Sequence, residues 1–458
     1  MASQTTTGRE EFLQLPRKPL KILTIDGGGL QGISTLLILS KVLDAIAAKD
    51  GTQAKKPRPC DIFDVIAGIG AGGWLAILLG RFHLDIGACL DEWYDMMQVI
   101  QPSSRTAGLK FRFLRHCYYD TDKLTEQIDQ LTKIYGTGED MMDKSVDRGA
   151  DKIRCRHVFV AALEENGAQP RYNLFRTYKC PKDAEPLSLR PGPEYPERFK
   201  ITRAFAVTGA ARYFAPTWKE TMENGHKAKF RDTKFPYPHN VTELALDEMW
   251  GLYGKNVRIS VVLNIGPGLP SKEDVHNLQS SLAKIVSWPP SLLPNKRSAS
   301  PAVRETGDKN SKLSPALVAS GTTSGGRPGP SVRGGIGTLP SDNSIRVDDR
   351  DVETKLQRKE REIEKAIKEK LEEVYPVREE RPRYFRVALD KSPKGAPPND
   401  TKNPKASQEA VRLYCESING ETTITRVKER FDEVGANDRE SLMSQGGENI
   451  SRDIVVSA

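Results

Sequence analysis

Residues 20–32 read Leu-Lys-Ile-Leu-Thr-Ile-Asp-Gly-Gly-Gly-Leu-Gln-Gly, an apolar run that passes directly into a glycine-rich stretch. The run predicts a strand over Leu20–Ile25, and apolar residues at helical spacing predict a helix over Ile33–Ala48. Consecutive glycines let the backbone turn sharply and approach a ligand closely. Unpaired N–H groups at the start of the helix favour an anion there. We therefore predict an anion-binding turn formed by Gly27, Gly28, Gly29 and Gly32.

A second strand, turn and helix follow the first. Phe63–Ala67 predicts a strand, Gly68–Gly72 a turn, and Gly73–Phe82 a buried helix. The turn, Gly-Ile-Gly-Ala-Gly, has the spacing of a nucleophile elbow, Gly-x-Ser-x-Gly, in which small flanking residues relieve a strained backbone. Gly70 occupies the position of the serine, and no serine occurs between Ser40 and Ser103. No neighbour on this loop can therefore supply the hydroxyl.

Further strands are predicted over His157–Leu163, Val257–Ile265 and Tyr384–Leu389. The intervening segments of the first part of the chain are long enough for crossover helices. This alternation predicts an α/β fold with a mainly parallel central sheet and flanking helices. Trp74 and Trp93 are expected in or near the core.

The first glycine turn also fits the dinucleotide fingerprint Gly27-x-Gly29-x-x-Gly32. That interpretation needs an acidic residue about twenty positions later, at the end of a second strand. The nearby candidates are Asp44, inside the predicted helix, and Asp50, in a polar loop. The pattern therefore argues against a nucleotide site.

Composition excludes several other classes of protein. The 458 residues are 37% hydrophobic and 28% charged, with a mean hydropathy of −0.53, as in water-soluble globular proteins. The longest uncharged run, Val65–Gly80, is too short to span a bilayer, and the N-terminus lacks the apolar core of a signal peptide. We therefore expect a cytoplasmic protein.

Charge and cysteine content point to neither nucleic acid nor metal. Of the net charge of +8, the segment 289–341 supplies five units, and no basic groove with interleaved aromatic residues is evident. The six cysteines are widely spaced, without a Cys-x-x-Cys pair. We expect reduced thiols, no nucleic-acid partner, no metal and no cofactor.

The composition changes after the predicted α/β part. Residues 288–346 are rich in Pro, Gly and Ser and predict a disordered insertion. Apolar residues then recur at three, four or seven positions in a charged segment, which predicts an amphipathic helix, docked on the domain or binding a partner rather than lying on a membrane. The predicted segments are a tail (1–18), the α/β domain (19–287), the insertion (288–346), the helix (347–376), a returning strand and helix (377–420) and a polar tail (421–458).

Five pieces of sequence, in order, resemble the patatin-like phospholipases, with the long C-terminal extension of the fungal type. They are Asp26–Gly32, Phe63–Arg81, Arg203–Pro216, Asp232 within Phe230–Lys234, and Asn264–Gly268. The resemblance implies the patatin-like, or FabD-lysophospholipase-like, fold. It also implies an oxyanion hole from the amides of Gly28 and Gly29, a general base at Asp232, and a nucleophile position at Gly70, with Gly68 and Gly72 flanking the elbow. No histidine is required.

Three residues depart from the pattern that the resemblance implies. Gly70 cannot form an acyl-enzyme, and loss of a triad nucleophile costs on the order of 10⁶ in rate. Thr233 and Lys234 replace the two small residues that follow the aspartate, so Lys234 could pair with Asp232. Gln31 stands where the family usually has a basic residue.

Three functions remain open from the sequence. The favoured hypothesis is an impaired hydrolase that binds a lipid or fatty acyl group, with peripheral membrane contact. The second is an active acyl hydrolase in which Asp232 activates water, with His239 considered as a replacement base and more simply interpreted as a loop residue. The third is an interaction protein in which the domain supports the disordered segment and the 352–374 helix, with a protein partner bound through that helix.

Overall fold

The fold is taken from a computed structural model, which describes residues 15–28, 32–48, 56–101, 119–136, 138–143, 155–165, 171–180, 192–193, 198–210, 218–222, 225–231, 240–268, 349–389 and 404–455. One eight-stranded sheet organises these residues. The predicted insertion, 288–346, lies outside the described residues.

The sheet is mixed, with its central strands parallel. Its strands are β1 (Leu20–Ile25), β2 (Val65–Ile69), β3 (His157–Glu164), β4 (Arg171–Arg176), β5 (Trp218–Thr221), β6 (Lys227–Arg231), β7 (Ile259–Gly266) and β8 (Arg383–Ala388). Their order is β5-β6-β3-β2-β1-β7-β8, with β4 also paired to β3. The pairs from β3 through β8 along this order are parallel, whereas β4, β5 and β6 pair antiparallel. The predicted α/β class is confirmed.

Helices connect and cover these strands. They are α1 (Gly32–Ala47), α2 (Pro59–Ile62), α3 (Ala71–Ala76), continued by a π-helical turn (Ile77–Arg81), α4 (Ile86–Val99), α5 (Thr121–Tyr135), α6 (Ile201–Thr208), α7 (Thr242–Tyr253), α8 (Asp349–Val374), α9 (Pro404–Glu416) and α10 (Ile418–Val455). In the part of the chain that the structure describes, no helix has both the length and the apolar character needed to cross a bilayer.

The core lies on both faces of the sheet. Successive side chains of a strand point to opposite faces, and all six residues of β1 are buried. Leu23 and Ile25 belong to the cluster that includes α1, α3 and α4, whereas Leu20 and Ile22 belong to the cluster that includes α7 and α8. A strand covered on both faces reads as a nearly continuous apolar run, which is why 20–25 was recognisable.

The chain returns to the sheet after residue 348. The apolar side of α8 packs into the second cluster through Ile367 and Leu371, and Lys370 Nζ lies 2.6 Å from Asp247 Oδ1 on α7. Strand β8 then pairs in parallel with β7, with Arg386 opposite Asn264. The amphipathic segment is thus docked on the α/β part, one of the two alternatives for this helix.

Two sequence expectations need correction. The predicted turn 68–72 is shorter, because Gly68 belongs to β2 and Gly72 to α3, so that only Gly70 lies between strand and helix. The polar tail predicted over 421–458 is also wrong at its start, because α10 begins at Ile418. Val427, Phe431 and Val434 of α10 are buried, at the spacing of one helical face in a mostly polar sequence.

Candidate active site

The second glycine turn is an elbow between β2 and α3. Gly70 has φ 58° and ψ −131°, a positive φ that residues with a side chain rarely adopt. Its carbonyl oxygen accepts the N–H groups of Gly73 at 2.9 Å and Trp74 at 3.3 Å, which starts the helix. A strained strand-to-helix turn of this kind is what lifts a nucleophile out of an α/β sheet. Here the apex carries a hydrogen atom in place of a side chain.

Close backbone contacts explain the glycines on either side of the apex. A Cβ at Gly68 would lie 2.1 Å from the carbonyl oxygen of Gly72. One at Gly72 would lie 2.2 Å from the carbonyl oxygen of Ile25 and 2.5 Å from that of Asp26. The elbow therefore abuts the end of β1, where the first glycine turn begins.

Thr208, the last residue of α6, holds the elbow from beneath. Its Oγ1 accepts the Gly70 N–H at 3.0 Å and donates to the Ala161 carbonyl at 2.9 Å. The side chain is completely buried. Both contacts fix this hydroxyl as a support for the turn, so that it is not presented as a substitute nucleophile.

The first glycine turn leaves β1 beside β7. The Asp26 N–H donates to the Ile265 carbonyl at 2.9 Å, and Gly27 and Gly28 are half-buried. A Cβ at Gly28 would lie 2.1 Å from Pro267 Cγ, so only glycine allows this approach. Gly29 and Gln31 lie outside the described residues. The turn and the elbow thus meet at the carboxyl edge of the parallel strands, where ligands bind in open α/β sheets.

The first residue of this turn, Asp26, is held by side chains from β7 and β8. Asn264 Nδ2 donates to Asp26 Oδ1 at 2.8 Å, and Arg386 Nη1 donates to Asp26 Oδ2 at 2.5 Å. Burial raises the pKa of the Asp26 carboxyl, and the hydrogen bonds and charge of Arg386 oppose that rise. Sequence reasoning did not single out Arg386, because a charged residue that alternates with apolar ones in a strand is usually solvent-exposed.

Strand β6 ends at Arg231, one residue before Asp232, the proposed base. Strand β4 occupies one edge of β3 along 159–164, so β2 and β6 share the other edge. Strand β2 ends at Ile69, opposite Ala161, and β6 ends at Arg231, opposite Leu163. These partners are two residues apart on β3, roughly 7 Å at the usual rise of a strand. Asp232, Thr233, Lys234 and His239 lie outside the described residues.

Aromatic residues pack below the two turns. A Cβ at Gly32, the first residue of α1, would lie 2.4 Å from Trp93 Cζ2. The rings of Trp74 and Trp93 are 6.0 Å apart, and Trp74 Nε1 donates to the Phe205 carbonyl at 2.9 Å. Both tryptophans are almost completely buried, which confirms their predicted place in the core.

Comparison with known proteins agrees with this arrangement of strands and turns. Residues 23–211 match the model of the family described as patatin-like phospholipase. This part of the chain is therefore similar to a patatin-like phospholipase domain. The matched range contains both glycine turns and Thr208, whereas Asp232, Asn264 and Arg386 lie beyond it.

Several curated proteins that are similar to this chain are named phospholipases. The chain is 25% identical over 159 residues to calcium-independent phospholipase A2-gamma of Oryctolagus cuniculus, covering 35% of this chain and 18% of that protein. It is 31% identical over 196 residues to Phospholipase A I of Arabidopsis thaliana (38% and 14%), and 26% identical over 211 residues to cGAMP-activated phospholipase of Vibrio cholerae (44% and 50%). The chain therefore spans less than a fifth of the first two relatives and half of the third.

Proposed function

We propose that this protein is a catalytically impaired patatin-like hydrolase that binds a lipid or fatty acyl group. The observation that carries the proposal is the apex of the elbow, where Gly70 keeps the backbone geometry of a nucleophile turn without a nucleophile. Attack on an ester by the enzyme needs a hydroxyl or thiol at this position. The hydroxyl of Thr208 already accepts the Gly70 N–H and donates its proton to the Ala161 carbonyl.

The binding half of the site supports retention of a ligand. Gly27 and Gly28 remain partly accessible beside the elbow, at the carboxyl ends of β1 and β2. Amide groups in a glycine turn that leads into a helix favour negative charge. The carboxylate of a fatty acid or the carbonyl of an ester would supply it, in keeping with the phospholipase names of the relatives.

The proposal also includes the location, the membrane contact, the residue roles and the segment bounds that the sequence predicts. The protein would act in the cytoplasm and reach lipid by peripheral contact with a membrane. Gly28 and Gly29 would donate to the bound oxygen, Asp232 would keep the position of the base, and Gly32, Gly68 and Gly72 would shape the two turns. The α/β part would comprise 19–287, followed by the insertion 288–346 and the helical segment 347–376.

Restoring the missing hydroxyl tests the proposal. We expect purified wild-type protein to show no turnover of p-nitrophenyl butyrate or of a phospholipid above the buffer rate. Gly70→Ser should raise the rate of butyrate hydrolysis at least about 100-fold if the donors of the oxyanion site are intact. Gly435→Ser is the matched control, because a Cβ at this glycine has nothing within 4 Å.

Two results would contradict the impaired hydrolase. Robust wild-type turnover that Asp232→Asn abolishes would establish a water-based acyl hydrolase. Native mass spectrometry should show a lipid mass that persists through purification and is displaced by added decanoate. Its consistent absence, together with no binding of decanoate, would favour an interaction protein.

A further inference from the structure

Arg386 connects the first glycine turn to a helix far along the chain. It lies on β8, opposite Asn264 in the parallel register, and its side chain is 10% exposed. Its guanidinium donates from Nη1 to Asp26 and to Asn264 Oδ1, and from Nε to Glu360 Oε1 at 2.9 Å. Its Nη2 also donates to Glu360. One planar group thus bridges the first glycine turn, β7 and α8.

Both oxygens of the Asp26 carboxylate are occupied by this arrangement. Asn264 holds Oδ1 and Arg386 holds Oδ2, while the Asp26 N–H is bonded to β7. Because Asp26 is fixed by its side chain and its backbone, the direction in which the chain continues into Gly27 and Gly28 is fixed as well. The fork of an arginine can make such contacts simultaneously, which the single ammonium of lysine cannot.

The charges around Arg386 show that the contact does more than neutralise Asp26. Glu360 and Glu364 from α8 also face the guanidinium, with Glu364 Oε1 3.7 Å from Nε. Three carboxylates surround one cation, and buried ion pairs are weak sources of net stability. The hydrogen bonds from Arg386 to Glu360 instead restrict the position of the guanidinium. They thereby also restrict the position of the Asp26 carboxylate that the guanidinium contacts.

We propose that Arg386 is a positioning residue that orients the amide groups of Gly27 and Gly28 through Asp26, with Glu360 on α8 as its anchor. The function of the Gly28 amide as an anion donor rests on the proposed function, whereas the ordering of both amides by Arg386 does not. The segment after residue 348 is therefore part of the candidate site, although the family match ends at residue 211.

The first test measures the ordering directly. Hydrogen–deuterium exchange of the full-length protein, followed by mass spectrometry, should show exchange of the 20–32 peptide at least about tenfold faster in Arg386→Lys than in wild type. Peptides of β4 should be unchanged. Arg383→Lys, on the same strand with a side chain 56% exposed, is the matched control and should leave the 20–32 peptide at the wild-type rate. Unchanged exchange in folded Arg386→Lys would overturn the proposal.

The second test separates positioning from general weakening of the fold. Binding of decanoate and of 1-decanol is compared at pH 8, since the two ligands share a chain and differ in charge. Wild type should prefer decanoate, and Arg386→Lys should lose most of that preference, about tenfold, while its affinity for 1-decanol stays within about twofold. A preference that survives in Arg386→Lys would contradict the positioning role.

The two proposals fail in different ways. If wild type binds neither ligand, or binds both equally, the proposed anion donors are absent, whatever the exchange experiment shows. If Arg386→Lys does not fold, Glu360→Gln replaces it, because that variant keeps Arg386 on Asp26 and removes only the anchor. If the 20–32 peptide of Glu360→Gln exchanges at the wild-type rate and the variant keeps the wild-type preference for decanoate, the role of α8 is refuted, and the proposal with it.

Discussion

The two glycine turns of the candidate site both follow parallel strands, but different interactions hold them. The elbow at Gly70 is held by backbone contacts at Gly68 and Gly72 and by one buried hydroxyl, that of Thr208. The first turn is held by the amide of Asn264 and the guanidinium of Arg386, from two strands more than two hundred residues away, and Glu360 of α8 in turn holds Arg386. A turn held by close contacts should be sensitive to added volume, and a turn held by charges to their removal.

The largest effect is expected from adding one carbon atom to the elbow. Gly72→Ala places a Cβ within 2.5 Å of two carbonyl oxygens at the end of β1, and backbone atoms cannot move aside as a side chain can. We expect a loss of at least about 4 kcal/mol in the free energy of unfolding, measured by urea denaturation. Gly435→Ala, in an open helical position, should be neutral or stabilising by about 0.5–1 kcal/mol. Equal stability of the two variants would mean that the turns do not abut.

Removal of the charge should have the next largest effect, on the first turn. Arg386→Gln leaves Asp26 and Glu360 without their shared cation in a largely buried place. Breaking a buried pair from one side costs about 3–5 kcal/mol, which urea denaturation at pH 7 would measure. The control, Arg383→Gln, removes an exposed charge from the same strand and should cost less than about 1 kcal/mol. Similar losses in both variants would refute the special role of the cluster.

A smaller loss is expected when the hydroxyl below the elbow is removed. Thr208→Val keeps the shape of the side chain but leaves the Gly70 N–H and the Ala161 carbonyl without this partner. Two unpaired buried groups should cost about 3 kcal/mol in the free energy of unfolding. Thr125→Val is the control, since that hydroxyl bonds the Thr121 carbonyl on an exposed helix face. A loss below 1 kcal/mol in Thr208→Val would show that the elbow needs only the contacts of Gly68 and Gly72.

The contrast between the two turns also explains what the sequence could predict. Strand, turn and helix at 20–48 and 63–82 are local patterns, and the glycine spacing around Gly70 survives in the structure. The clamp on Asp26 depends on a residue 360 positions later in the chain, and no local pattern records such a partner. The sequence indication of this clamp was a charged residue, Arg386, within the returning strand. It could be recognised only once β8 was known to pair with β7.

The wrong prediction of a polar tail has a related cause. In α10, three apolar residues among many charged ones are enough to dock the helix, because its contacts lie on a single face. Average polarity predicted a polar tail over 421–458, whereas the spacing of Val427, Phe431 and Val434 would have indicated a docked helix.

A buried histidine at the opposite edge of the sheet should make the stability of the fold depend on pH without affecting either glycine turn. His157, the first residue of β3, contacts the Tyr253 hydroxyl through Nε2 at 3.1 Å and the edge of Tyr178. Burial lowers its pKa from 6.5 to about 4, and the positive charge of Arg156 adds to the effect. The unfolded chain therefore binds a proton below pH 6.5 that the folded chain does not, so stability falls as the pH decreases through this range.

Between pH 7 and pH 5 this difference amounts to about 2 kcal/mol in the free energy of unfolding. We expect urea denaturation of wild type to show that decrease and His157→Asn to remove most of it, at the cost of lower stability at pH 7. His226→Asn is the control, because this histidine is 40% exposed and bonded to Glu164. If His157→Asn retains the full pH dependence, the loss of stability must arise elsewhere.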